Sequence, residues 1–318
     1  MAQAPNTYPT WFAPKARVSL GFSPRFLTNF PAHFIEVGPP AARLKYRVIE
    51  PADYHLKVAT SNWTERGEQQ FDFDFFADFP APMNRWSASP KGTVLLLHGW
   101  GVAQFAMAPW ALRLAQDGWR CVLLDLRGHG KSTGKRIYFG LQETNDLSRL
   151  LDQLQSHHQL TAPVAVVGES YGAALALRWK TADSRIGPVV ALAPYSSLSN
   201  AVLNISQDYA AWSPEFLLKA GLRKLPELLH VEASELNTST ILKRHPVPAL
   251  FVAGAADRIM PQGEVRELYE LSPSESQFLM IPQATHESLT YFFDALTEPV
   301  LKWLNATEGK PTDLNAVK

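Results

Sequence analysis

Cysteine is nearly absent from this chain. Its 318 residues include one, Cys121, so no internal disulfide can form and stability has to come from a packed core. Cys121 stands in the apolar run Cys121-Val122-Leu123-Leu124, as a small core residue does. A charge excess of either sign is missing too: 30 Lys and Arg balance 30 Asp and Glu. That balance leaves no global field to attract nucleic acid or an anionic membrane. No run reaches the roughly eighteen apolar residues of a membrane-spanning helix. The opening residues, Met1-Ala2-Gln3-Ala4-Pro5-Asn6, lack the basic start and apolar stretch of a secretory signal, so a cytoplasmic location is expected. The sequons at Asn62, Asn204, Asn237 and Asn305 are then incidental. There is no internal repeat. What remains, with 46% hydrophobic and 19% charged residues, is the composition of a globular protein with a large core.

Pro and aromatic residues crowd positions 1–41 without a clear period, which suggests an extended arm packed on the body. From 42 to 79 the pattern is strand-like, and Phe71, Phe73 and Phe75 alternate with Asp72 and Asp74 as in a half-exposed antiparallel strand. A Pro- and Ser-rich loop is expected over 80–91. Beyond it, apolar runs at 93–97, 120–124, 164–167, 188–192, 249–253 and 277–281 read as strands buried on both faces, and helical stretches separate most of them. Leu147, Leu150, Leu151 and Leu154 share one helix face, as do Leu289, Phe292, Phe293 and Leu296. Such alternation predicts an α/β fold with a mostly parallel sheet and flanking helices. The body is expected in two parts, 42–195 and 247–305. Between them, 196–246 has no buried strand and carries an apolar helical face of Phe216, Leu217, Leu218, Leu222, Leu225 and Leu229, interrupted by Pro226. A helical lid over the carboxyl edge of the sheet is expected there. A polar tail, 306–318, closes the chain.

The chemistry centres on Gly168-Glu169-Ser170-Tyr171-Gly172. This G-x-S-x-G lies between an apolar strand and a helical run, the setting of a nucleophile elbow. The motif alone arises by chance in roughly one chain of this length in ten, and a serine N-cap between two glycines is its plain alternative. A serine nucleophile also needs a base, an orienting acid and donors for an oxyanion. Asp257 follows the strand at 249–253, and His286 follows the last strand. The loop Leu97-His98-Gly99-Trp100-Gly101 follows the first buried strand. Its expected donors are the main-chain N–H groups of Trp100 and Tyr171, with His98, Gly99, Gly168 and Gly172 in supporting roles; His98 fits a structural hydrogen bond within its loop. Gly128-His129-Gly130-Lys131-Ser132 contains G-K-S, but the first glycine of a phosphate-binding loop would fall at Asp125. His157-His158 is no metal site, since adjacent helical residues point apart.

The order Ser…Asp…His is that of α/β-hydrolases. Taken with His98-Gly99-Trp100-Gly101 and Asp125-Leu126-Arg127-Gly128-His129-Gly130-Lys131-Ser132, it makes residues 90–305 resemble that superfamily. The closest resemblance is to the branch of monoacylglycerol lipases and serine aminopeptidase-like hydrolases, where D-x-R-G-H-G-x-S is familiar. Residues 1–90 are not covered, and Tyr171 departs from the Met or Gln common after the lipase serine. The resemblance implies a serine hydrolase cleaving a small carboxylic ester with an apolar acyl group. It implies no metal or organic cofactor, no nucleic-acid partner and no transmembrane segment, and leaves the oligomeric state open. A thioesterase, an acyltransferase or an aminopeptidase are the alternatives on the same fold, the last needing lid carboxylates such as Glu215, Glu227, Glu232 and Glu235. A binding protein on a retired scaffold is the non-enzymatic one.

Overall fold

The computed structural model describes residues 17–22, 24–79, 89–210 and 212–306. Five strands precede residue 90: β1 (Arg17–Gly21), β2 (His33–Val37), β3 (Ala42–Ile49), β4 (Lys57–Glu65) and β5 (Glu68–Phe76). Six follow: β6 (Thr93–Leu97), β7 (Arg120–Leu124), β8 (Val164–Glu169), β9 (Ile186–Leu192), β10 (Leu250–Gly254) and β11 (Gln277–Ile281). Helices α1 (Ala108–Gln116), α2 (Glu143–Ser156) and α3 (Tyr171–Ala182) connect the first of these later strands. α4 (Leu198–Tyr209), α5 (Glu215–Leu229) and α6 (Thr238–Arg244) lie between β9 and β10, with α7 (Gln262–Glu270) and α8 (Phe293–Asn305) beyond.

Among the described residues, eight strands form one sheet in the order β11-β10-β9-β8-β6-β7-β3-β2, and β1, β5 and β4 form a second. The pairings from β7 through β11 are all parallel; β3 and β2 are added antiparallel. All five side chains of β6 are buried, because helices cover both faces of a parallel sheet. α2 turns Leu147, Leu150, Leu151 and Leu154 inward, the stripe a 3.6-residue period demands. α3 is buried almost all round, and its alanines let it pack between the sheet, α2 and α6. The expected α/β architecture is thus the observed one.

Four expectations change in detail. The supposed arm contributes His33–Val37 as the edge strand of the main sheet, and Arg17–Gly21 pairs with β5. In β2 only Ile35 and Val37 turn inward, an alternation too short to stand out among prolines. The strand at 277–281 is not buried on both faces: β11 is the other edge, and Gln277 and Met280 are exposed. α6, inside the expected lid 196–246, belongs to the body, since Ile241 and Leu242 are buried and it packs on α3 and α7. Pro226 does not interrupt α5. It falls in the last turn, where a missing N–H costs one bond near the natural end. α5 has no buried residue. Phe71, Phe73 and Phe75 are buried against Phe292, Tyr291 and Phe293. Most of the 80–91 loop and of the tail lie outside the described residues. Among the described residues no helix is long and apolar enough to cross a membrane.

Candidate active site

β8 delivers Ser170 to the carboxyl edge of the sheet. There the chain turns directly into α3, and Ser170 takes φ +52° and ψ −113°, a conformation an L-residue holds only when its surroundings enforce it. The flanking glycines make the turn possible. A Cβ on Gly168 would stand 2.3 Å from the Gly172 carbonyl, and one on Gly172 would stand 2.3 Å from the Leu97 carbonyl. The turn is held by Ser170 N–H donating to Leu192 O at 2.7 Å. The Ser170 hydroxyl does not cap α3, so the plain N-cap alternative does not describe this serine.

β10 and β11 bring the next two residues together. They pair in parallel up to Gly254 and Ile281, so the loops carrying Asp257 and His286 leave the sheet side by side. Gly254 lies so close to that second loop that a Cβ would stand 2.4 Å from Ala284 O. Asp257 Oδ1 accepts the main-chain N–H groups of Ile259 and Met260 at 2.9 and 2.7 Å. Its Oδ2 is 2.9 Å from His286 Nδ1, and His286 Nε2 is 3.0 Å from Ser170 Oγ. Ser170, His286 and Asp257, far apart in sequence, thus form one hydrogen-bonded chain. The Asp257 side chain is fully buried and that of His286 is 14% exposed. With the carboxylate taking Nδ1–H, neutral His286 presents its Nε2 lone pair to the serine hydroxyl.

Burial alone would lower the His286 pKa. The carboxylates of Asp257, Glu287 and Glu169 reverse that effect and raise it to about 9. Glu169 and Glu287 were not singled out by sequence reasoning, although each adjoins a residue that was. Burial pushes the Glu169 carboxyl up, and nearby His286 pulls it back.

The register Leu97↔Gly168 sets the 98–101 loop beside the elbow. His98 is buried there: Nδ1 is 2.8 Å from Gly99 O, and Nε2 accepts Leu126 N–H at 3.0 Å. Burial drops its pKa to about 4, so it stays neutral with its proton on Nδ1. Because a trans peptide is planar, holding the Gly99 carbonyl also fixes the direction of the Trp100 N–H.

The 125–132 string is scaffolding. Asp125 accepts the main-chain N–H of Gln104 and of Lys131, each at 2.9 Å, and Ser132 Oγ donates to Asp125 O. The Lys131 N–H that a phosphate would need is therefore taken by a carboxylate. Arg127 forms a buried two-bond pair with Asp146. Among the described residues no cluster of His, Cys, Asp or Glu is placed to hold a metal ion.

Above Ser170 opens a cavity of about 320 Å³. Trp100, Phe139 and Tyr195 line it from the body, and Leu218, Leu222 and Leu225 from α5. Among the described residues no carboxylate lines it, and Glu215, Glu227, Glu232 and Glu235 are not among its walls.

The family model described as serine aminopeptidase matches residues 88–240. The uncharacterized protein YqkD of Bacillus subtilis is 24% identical over 189 residues, which are 56% of this chain and 59% of that protein. The chain thus matches less than two thirds of that relative's length. Among solved structures, the esterase Pf2001 of Pyrococcus furiosus is similar with a TM-score of 0.62 and 21% identity, over 92% of this chain and 97% of that one. A thermophilic esterase from Thermogutta terrifontis is similar with a TM-score of 0.55 and 17% identity, over 87% of this chain and 100% of its own. At such identities the likeness speaks for the fold.

Proposed function

We propose that this chain, which has the α/β-hydrolase fold, is a serine hydrolase cleaving carboxylic esters with an apolar acyl group. The observation that carries the reading is the hydrogen-bonded chain Ser170–His286–Asp257 at a strained elbow that opens into an apolar cavity. In this reading Ser170 Oγ bonds to the ester carbonyl carbon while His286 Nε2 takes its proton, and the main-chain N–H groups of Trp100 and Tyr171 hold the oxyanion. His286 returns the proton to the leaving alcohol, and an acyl-serine remains. Water, deprotonated by the same imidazole, then releases the acid and restores Ser170. Asp257 keeps the proton on Nδ1 and stabilises the imidazolium.

Aminopeptidase activity, the name carried by the matching family model, needs an anionic partner for a substrate ammonium, and the cavity walls, free of carboxylates among the described residues, favour an ester. A strained serine costs about 1–3 kcal/mol, which weighs against a retired scaffold. The test is labelling with a fluorophosphonate and peptide mapping, alongside turnover of esters, thioesters and amino-acyl amides. Label on Ser170, and loss of ester turnover in Ser170→Ala, are expected. Label on Ser132 or Ser196 would overturn the assignment, and preferred turnover of thioesters or amides would change the substrate class.

A further inference from the structure

Helix α4 touches both the cavity and the proton relay. Ala201, Val202 and Ile205 form part of the wall over Ser170. From the same helix, Asn204 Nδ2 donates to Ile259 O at 2.9 Å, and the Arg258 guanidinium donates to Asp208 at 3.0 Å. The Tyr209 hydroxyl donates to the Glu287 carboxylate. Every partner stands one or two positions after a member of the relay: Arg258 and Ile259 follow Asp257, and Glu287 follows His286. Ile259 is bonded twice, since its own N–H donates to Asp257 Oδ1 at 2.9 Å. The start of the helix is anchored independently. Asn200 donates to Glu264 of α7, and Ser196, just before α4, donates to Glu267.

These bonds act where support is needed. Asp257 and His286 stand on loops beyond the strands at one end of the sheet, and loops open more readily than the elements they join. A single exposed ion pair stabilises a fold by little. Orientation is far more sensitive, for a displacement of roughly 1 Å in a catalytic group can cost about a hundredfold in rate. We infer that Asn204, Asp208 and Tyr209 are positioning residues for the Asp257–His286 pair, so that α4 sets the geometry of the proton relay as well as one wall of the cavity. The inference rests on the Ser170 reading above.

The test compares the full chain with Tyr209→Phe, Asp208→Asn and the exchanged pair Asp208→Arg/Arg258→Asp, on p-nitrophenyl acetate and octanoate. Each single variant should lower kcat about tenfold on both esters, because the relay is common to them. KM should stay within about twofold. The exchanged pair should recover most of the Asp208→Asn loss. Unchanged kcat, or a deficit confined to KM or to the octanoate, would overturn the inference and leave α4 as cavity wall only. If a variant does not fold, Arg258→Gln, on the half-exposed side of the same bond, makes the comparison from the loop. Ser170→Ala is assayed in parallel. Turnover that survives there overturns the underlying reading, whereas its loss beside neutral α4 variants overturns this inference alone.

Discussion

His286 faces three carboxylates, and their summed field sets when the proposed base is neutral. In the proposed mechanism only the neutral imidazole accepts the serine proton, so the protonated form would be inactive. With its pKa raised to about 9, kcat/KM should climb through neutral pH and level off only near that value. Glu169→Gln removes one negative charge beside the ring and should move the rising limb to lower pH. A limb that stays put in this variant would show that Glu169 does not act on the base. Asp257→Asn should keep the fold and lower kcat by about three to four orders of magnitude, through the wrong imidazole tautomer. A loss below about tenfold would mean that another carboxylate orients His286. At this scale the sequence was informative about residue type and order. It could not show that Glu169 lies within the field of the imidazole, because that depends on the His286 loop converging on the end of β8 from a separate strand.

At the scale of elements, α4 and α5 border the cavity in different ways. α4 is bonded to the body at both ends, whereas α5 leaves Phe216 69% and Leu228 61% exposed. Leu222, on the inner side of α5, should therefore tune chain length: Leu222→Trp fills the cavity and should lower turnover of long esters more than short ones, with little change in stability. A uniform fall across chain lengths would make α5 a plain cover. The 98–101 loop is tested through its backbone. Trp100→Ala removes an apolar surface and should alter mainly affinity. Trp100→Pro removes the N–H and should cost about a hundred- to a thousandfold in rate, or about 2.7–4 kcal/mol. Equal rate constants at matched stability would mean that this N–H does not meet the oxyanion. The elbow was legible as an element because two glycines mark a close approach. The packing of α6 on α3 and α7 was not, since α6 carries the same helical pattern as α4.

For the whole molecule, the Arg127–Asp146 pair is the most exacting buried contact, with both side chains almost wholly out of water. Asp146→Ala leaves the buried guanidinium without its carboxylate, with the Pro40 carbonyl still accepting from Nη1, and should destabilise the fold by about 3–5 kcal/mol, measured by chemical denaturation. A loss under about 1 kcal/mol would show that Arg127 finds water or another acceptor. The parallel half of the sheet could be read from long apolar runs. The strand-like pattern over 42–79 was legible as well, but β1 and β2 before it were not, because such short strands show a buried face over only a few positions. The sole thiol, Cys121, is fully buried, and burial pushes its pKa well above the usual range, so a maleimide added to the folded protein finds no native target. Leu228→Cys would then carry the single reporter dye, and α5 could be followed optically during turnover without first stripping other cysteines from the chain.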